Sequence, residues 1–127
     1  MSDIADPRAW VARAEEDHTV ACASFRRKKP LVNAACFHAQ QCAEKYLKAL
    51  LVSQGRAFAK THDLLVLSEA CAEAGIRVPV SEDKLSILSS CAVRVRYPGP
   101  EPTPAETAEA VEIAKAVRKF ARATLER

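Results

Sequence analysis

Between Pro30 and Gly55 the chain contains neither proline nor glycine, and this uninterrupted stretch constrains the fold more than any other feature. It predicts a helix from Pro30 to Gln54, stopped by Gly55 as a left-handed cap. At 1.5 Å per residue that is a rod of roughly 37 Å. Its centre, Phe37-His38-Ala39-Gln40-Gln41-Cys42-Ala43-Glu44-Lys45-Tyr46-Leu47-Lys48-Ala49-Leu50-Leu51, carries two patterns at once. One is an apolar stripe able to build a core. The other is a polar row, His38, Gln41, Lys45 and Lys48, whose spacings of three and four stack the side chains along one face.

The remaining chain divides into further helices around this rod. Asp6-Pro7 supplies a cap and a first-turn proline, and Trp10, Ala14, Asp17, Ala21 and Phe25 share a stripe that ends near Arg27. Thr61-His62-Asp63 starts a third helix that uses Leu64, Leu67 and Cys71 and ends at Gly75. Ser81-Glu82-Asp83 starts a fourth, with Leu85, Leu88, Ala92 and Val95 on one face, running into Arg94-Val95-Arg96-Tyr97 before Pro98-Gly99-Pro100 breaks it. Thr103-Pro104-Ala105-Glu106 is a capping box for a last helix to about Leu125. Only 6% of residues are aromatic and no segment alternates with the period of a strand. The expected fold class is all-α, an up-and-down antiparallel bundle of about five helices in a single domain over residues 1–127.

Charge and cysteine usage narrow the function classes. A net charge of +3 is far below that of a general nucleic-acid binder, although local basic patches are compatible with it. The five cysteines, Cys22, Cys36, Cys42, Cys71 and Cys91, are odd in number, and no two stand at CxxC spacing. With no secretory leader at Met1-Ser2-Asp3-Ile4, they read as reduced thiols of a cytoplasmic protein, and no close Cys or His pair would nucleate a metal site. The longest apolar runs fall well short of the ~20 residues that span a bilayer. Three glycines leave no Gly-rich phosphate loop, so no cofactor is expected.

Three constellations carry chemistry. In the row His38-Gln41-Lys45-Lys48, an imidazole, an amide and two ammonium groups suit a phosphate or a base edge; the plainer reading is a solvated face with His38 half packed. In Arg94-x-Arg96-Tyr97-Pro98, two guanidiniums offer forked donors and Tyr97 a stacking surface, against a plainer reading of cations at a helix C-terminus beside a packed Tyr. In Thr61-His62-Asp63, a His beside a carboxylate resembles a general base, but neighbours at a helix start do not face each other, and capping explains the triplet better. A thiol nucleophile at Cys36 or Cys42, poised by His38, lacks the usual activation.

The long central segment, then Thr61-His62-Asp63-Leu64, then Arg96-Tyr97-Pro98, resembles a HEPN domain in order and spacing. The likeness extends to Trp10-x-x-x-Ala14-x-x-Asp17 and to the Ala/Glu-rich last helix. His18 departs from the family, which places an apolar residue there, and leaves that edge of the bundle more polar. The resemblance implies a small helical bundle, commonly a homodimer, encoded in prokaryotic operons beside a minimal nucleotidyltransferase in a toxin–antitoxin-like pair. It also implies nucleotide or RNA binding, and many members are metal-independent RNases. Those enzymes use an Arg and a His four to six residues apart, near Arg94 and Arg96 here, but no His follows Tyr97. Arg13-x4-His18 and Arg56-x5-His62 match that spacing away from the family's position, so no catalytic residue is carried over to them. The expectation is a non-catalytic nucleotide- or RNA-binding module with His38, Gln41, Lys45, Arg94, Arg96 and Tyr97 as its ligand surface and Lys48 at its periphery. The alternatives are an RNase in which Arg96 works with Tyr97 or His38, and a purely structural dimerisation protein.

Overall fold

The computed structural model describes residues 6–127; Met1 to Ile4, read above as carrying no secretory leader, lie outside the described residues. Five helices follow in order: α1 (Pro7–Arg26), α2 (Val32–Ser53), α3 (Leu64–Glu73), α4 (Glu82–Arg94) and α5 (Pro104–Leu125), with no strand among the described residues. The start signals act as the sequence predicts. Asp6, Asp63, Ser81 and Thr103 each accept a backbone N–H of their helix's first turn, and Thr103 with Glu106 forms the reciprocal capping box. At the end of α2, Gly55 (φ +67°) lets its own N–H reach the Val52 carbonyl and the Arg56 N–H reach Leu51, closing a Schellman motif. Gly75 ends α3 in the same way.

One boundary differs from expectation. The second helix begins at Val32, not Pro30, because Leu31 (φ −88°, ψ 86°) is turned out of helical geometry and donates its N–H to the Ser24 carbonyl at 3.0 Å. The bond fastens the start of α2 to the end of α1. Residues 27–29 are thereby left as an exposed bend.

Helix α2 is the axis of the bundle and packs against all four others. Its Ala35, Cys36, Ala39, Ala43, Tyr46, Leu47 and Leu50 are fully buried, joined by Ala14 and Ala21 of α1, Leu64 and Leu67 of α3, Leu85 and Leu88 of α4, and Val117 and Ala121 of α5. Alanines on α1 and α5 let their backbones approach the central helix closely. No helix among the described residues is long and apolar enough to cross a membrane.

The five cysteines are all free thiols. Burial pushes the Cys42 thiol up to about 12 and Cys71 to about 11, which removes their nucleophilic thiolates at neutral pH.

Candidate functional site

The polar residues of α2 do not form one row. They split into two buried sets that face different neighbours. Towards α1, the carboxylate of Asp17 is clamped from both sides, by His38 Nδ1 at 2.7 Å and by Lys45 Nζ at 2.6 Å. Asp17 is 7% exposed, so the clamp neutralises a charge that the α1–α2 interface would otherwise bury unpaired. Towards α3, Gln40, Glu44 and Lys48 stand at i, i+4 and i+8 as a polar spine. Lys48 Nζ donates to Glu44 Oε2 at 3.0 Å and lies 5.2 Å and 5.7 Å from the ring centroids of Phe58 and Trp10. The sequence places Lys48 at the periphery; the structure buries it under two aromatic rings.

The spine ends on His62, in the segment that leads into α3. Gln40 Nε2 donates to the His62 backbone carbonyl at 2.9 Å and to Glu44 Oε1 at 3.2 Å, while His62 Nδ1 meets the same Glu44 oxygen at 2.8 Å. A carboxylate only accepts, so Nδ1 carries the proton and the neutral ring keeps its lone pair on Nε2. Burial acts to raise the Glu44 pKa, but the bonds from His62, Lys48 and Gln40 outweigh it and hold the carboxyl below its ordinary value. Glu44 is therefore ionised and buried, and the His62 side chain it grips remains 64% exposed. Asp63, the α3 cap, and the Leu64 N–H, which donates to Ser89 Oγ at 3.2 Å, fix the segment against α4.

His62 faces a cleft of about 530 Å³ between the start of α3 and the second half of α4. Gln40 lies on its wall with Ser86, Ser90, Arg94 and Arg96. Arg94 is held across the helix ends by Glu106 at 2.9 and 3.4 Å, and this pair keeps the Glu106 carboxyl down at about 2. Arg96 makes no ion pair among the described residues; its guanidinium carbon lies 5.8 Å from the Phe37 ring centroid. A flat cation on an aromatic platform suits an anionic oxygen, and the oriented imidazole in the same cleft offers Nε2 as an acceptor for a hydroxyl or a base N–H.

Of the six residues read from the sequence, Arg94 and Arg96 line this cleft. Gln41 reaches its edge indirectly, donating to Gln40 Oε1 at 2.8 Å. His38 and Lys45 point to Asp17, and Tyr97 stands 69% exposed after the end of α4. His62, which the sequence offers beside Asp63 but which capping explained better, belongs to the site, and its carboxylate partner is Glu44. The local signal for Glu44 is its spacing to Lys48, with the acid one turn before the base.

Elsewhere in the bundle, Glu15 of α1 is a third charge hub, partly exposed. Arg118 grips it with Nε at 2.7 Å and Nη2 at 2.8 Å, Arg122 approaches at 3.1 Å, and the fully buried Tyr46 donates its hydroxyl to Oε2. The carboxyl falls to about 2, chiefly through Arg118.

The HEPN domain profile matches residues 7–124 of the chain. A search of curated proteins finds no match. Among solved structures, the fold is similar to TT1696 from Thermus thermophilus, with 26% sequence identity and a TM-score of 0.70 over 91% of this chain and 95% of that one. A profile match over almost every described residue, on a five-helix bundle of the architecture the sequence predicts, shows that the chain belongs to the HEPN domain family.

Proposed function

We propose that this HEPN protein is a nucleotide- or RNA-binding module whose ligand site is the α3–α4 cleft. It acts as a homodimer, paired in a toxin–antitoxin-like module with a minimal nucleotidyltransferase that carries out the chemistry. The observation that carries the reading is Arg96, a cation without a carboxylate partner among the described residues, in the same cleft as the oriented His62. Arg96 holds a phosphate, His62 Nε2 accepts from a sugar hydroxyl or a base N–H, Arg94 adds positive field while tied to Glu106, and Tyr97 offers its exposed ring to a base. Gln41 acts through Gln40. His38 and Lys45 contribute by fixing α2 against α1, and so set the height of the cleft wall.

Calorimetric titration with a nucleotide and with a short RNA tests this. Arg96→Ala is expected to weaken binding about 10- to 100-fold, the range for losing a hydrogen bond to a charged group, while melting stays unchanged because the side chain is exposed. Equal affinities for wild type and variant would remove the cleft from consideration. Copurification of the protein without any nucleotidyltransferase would count against the partner.

One observation favours a second reading, a metal-independent RNase. The Glu44–His62 pair has the form of a carboxylate-oriented general base, and Arg96 shares its cleft to stabilise phosphate charge. Incubation with RNA in EDTA separates the two. The binding reading expects intact RNA, whereas cleavage lost in both His62→Ala and Arg96→Ala would establish the enzyme.

A further inference from the structure

Away from the Glu44 spine, α1 and α5 form a groove of about 500 Å³ whose walls carry His18, Lys115, Arg118, Lys119 and Arg122, with Glu126 as the acidic residue among the lining groups. Two of these cations are fixed. Arg118 is locked in a bidentate grip on Glu15, and Arg122 spans Glu15 and Glu126 at 3.1 and 3.7 Å. The lysines are not. Lys119 has no ion pair among the described residues, and Lys115 has only the exposed Glu112 at 3.4 Å. The groove thus presents a fixed guanidinium edge and two exposed ammonium groups.

We infer that this α1–α5 groove binds consecutive phosphates of single-stranded nucleic acid, independently of the α3–α4 cleft. The cations are spread along α5 from residue 115 to 122, about 10 Å of helix axis, longer than one phosphate group and matched to a repeating charge. Ala123 is the one apolar residue among the lining groups, and the carbon stems of the Lys and Arg side chains with the His18 ring supply further apolar surface, so what the rim presents to a ligand is charge. Recognition of this kind is electrostatic and indifferent to base sequence.

His18 reports on the site. Burial lowers its pKa, and the cations Arg118, Lys115 and Arg26 lower it further against the opposing pull of Glu15. The other groups facing the ring are Lys119 and Arg122 of α5 and the Cys22 thiol, whose sulfur is 3.7 Å from Nδ1. Phosphates seated among these cations reverse that field, so the ring takes up a proton more readily in the complex. By linkage, affinity rises as the pH falls through the ordinary histidine range.

Fluorescence anisotropy with a labelled oligo-uridylate, across a salt series, tests the groove. Lys115→Ala/Lys119→Ala removes two exposed cations without touching the Glu15 hub. The double variant is expected to bind on the order of tenfold more weakly at 0.1 M salt, with a log–log salt slope shallower by about 1.4, from ~0.7 per single-strand phosphate contact. An oligothymidylate is expected to behave alike. Wild-type affinity and slope in the double variant would overturn the proposal, as would equal binding of a polyglutamate peptide. Histidine NMR gives an independent readout: the oligonucleotide raises the His18 titration midpoint in wild type and less in the double variant. A His18 midpoint unmoved by saturating oligonucleotide would place the strand elsewhere. Arg96→Ala leaves the His18 response intact, so failure of the cleft and failure of the groove are told apart.

Discussion

Glu44→Ala is expected to destabilise the protein by ~3–5 kcal/mol, the cost of removing one partner from a buried charge pair. The carboxylate is 3% exposed and satisfies Lys48, His62 and one proton of Gln40. Without it, the Lys48 ammonium stays under the Trp10 and Phe58 rings with no counter-charge. For a chain of this length the loss corresponds to a fall in Tm on the order of 12–20 °C. Two companion measurements separate charge from packing. Glu44→Leu/Lys48→Met leaves no lone charge and is expected to recover most of the lost stability, because apolar replacement of a whole buried pair is close to neutral. The deficit of Glu44→Ala shrinks in acid. Glu44 titrates below its ordinary value, so its contribution is present above the ordinary carboxylate range and is lost as pH falls through the lowered folded-state pKa. A single variant as stable as wild type at pH 7 would show that Lys48 finds water and that the spine is not a buried pair.

The same substitution reaches the candidate site. Glu44 fixes both the tautomer and the direction of the His62 ring, so ligand binding in the α3–α4 cleft should weaken in Glu44→Ala even at temperatures where the variant is folded. The effect should resemble that of His62→Ala, and combining the two should add little for binding, since one residue acts through the other. Additive losses would mean that Glu44 and His62 serve the cleft separately.

The helices were legible in the sequence because their causes are local. Asp6, Asp63, Ser81 and Thr103 cap within a turn, Gly55 and Gly75 supply the left-handed residue a Schellman motif needs, and Leu64, Leu67 and Cys71 repeat with the period of a helix. Pro30 misled by two residues because the bond from Leu31 to Ser24 is a tertiary contact that no local rule contains. The site was only half legible for the same reason. Arg96 announced itself by its place at the end of α4, but the carboxylate that serves His62 is eighteen residues away on another helix, not its neighbour Asp63. Spacing grouped His38, Gln41, Lys45 and Lys48 correctly as polar and surface-directed on a lone rod. It could not tell that α1 would cover one flank with Asp17 and the α3 segment the other with His62. What decided those side chains was which helix arrived, and that depends on packing around α2.

Tyr46→Ala is expected to cost ~3–5 kcal/mol as a large buried ring is lost, and Tyr46→Phe ~1–2 kcal/mol, since the ring stays and one charge-assisted hydrogen bond goes. Tyr46 is fully buried at the centre of α2 and donates to Glu15, which is also held by Arg118 and Arg122 of α5, so the hydroxyl is the point where α1, α2 and α5 are tied together. The two substitutions differ in how they respond to acid. Glu15 falls from 4.5 to about 2 in the fold, so its ionic stabilisation is complete above the ordinary carboxylate range and is lost as pH drops towards 2. Its side chain is 30% exposed, and solvent screening keeps the ionic part to about 1–2 kcal/mol. Once Glu15 is protonated, the phenol loses its charged acceptor and Phe becomes nearly equivalent to Tyr. Urea midpoints measured from neutral pH down to about pH 2 should therefore show the Tyr46→Phe deficit closing, while the Tyr46→Ala deficit persists because a cavity does not titrate. If the Phe deficit is the same at both ends of that range, the hydroxyl acts through something other than the Glu15 carboxylate, and α2 is joined to the Glu15–Arg118 pair by packing alone.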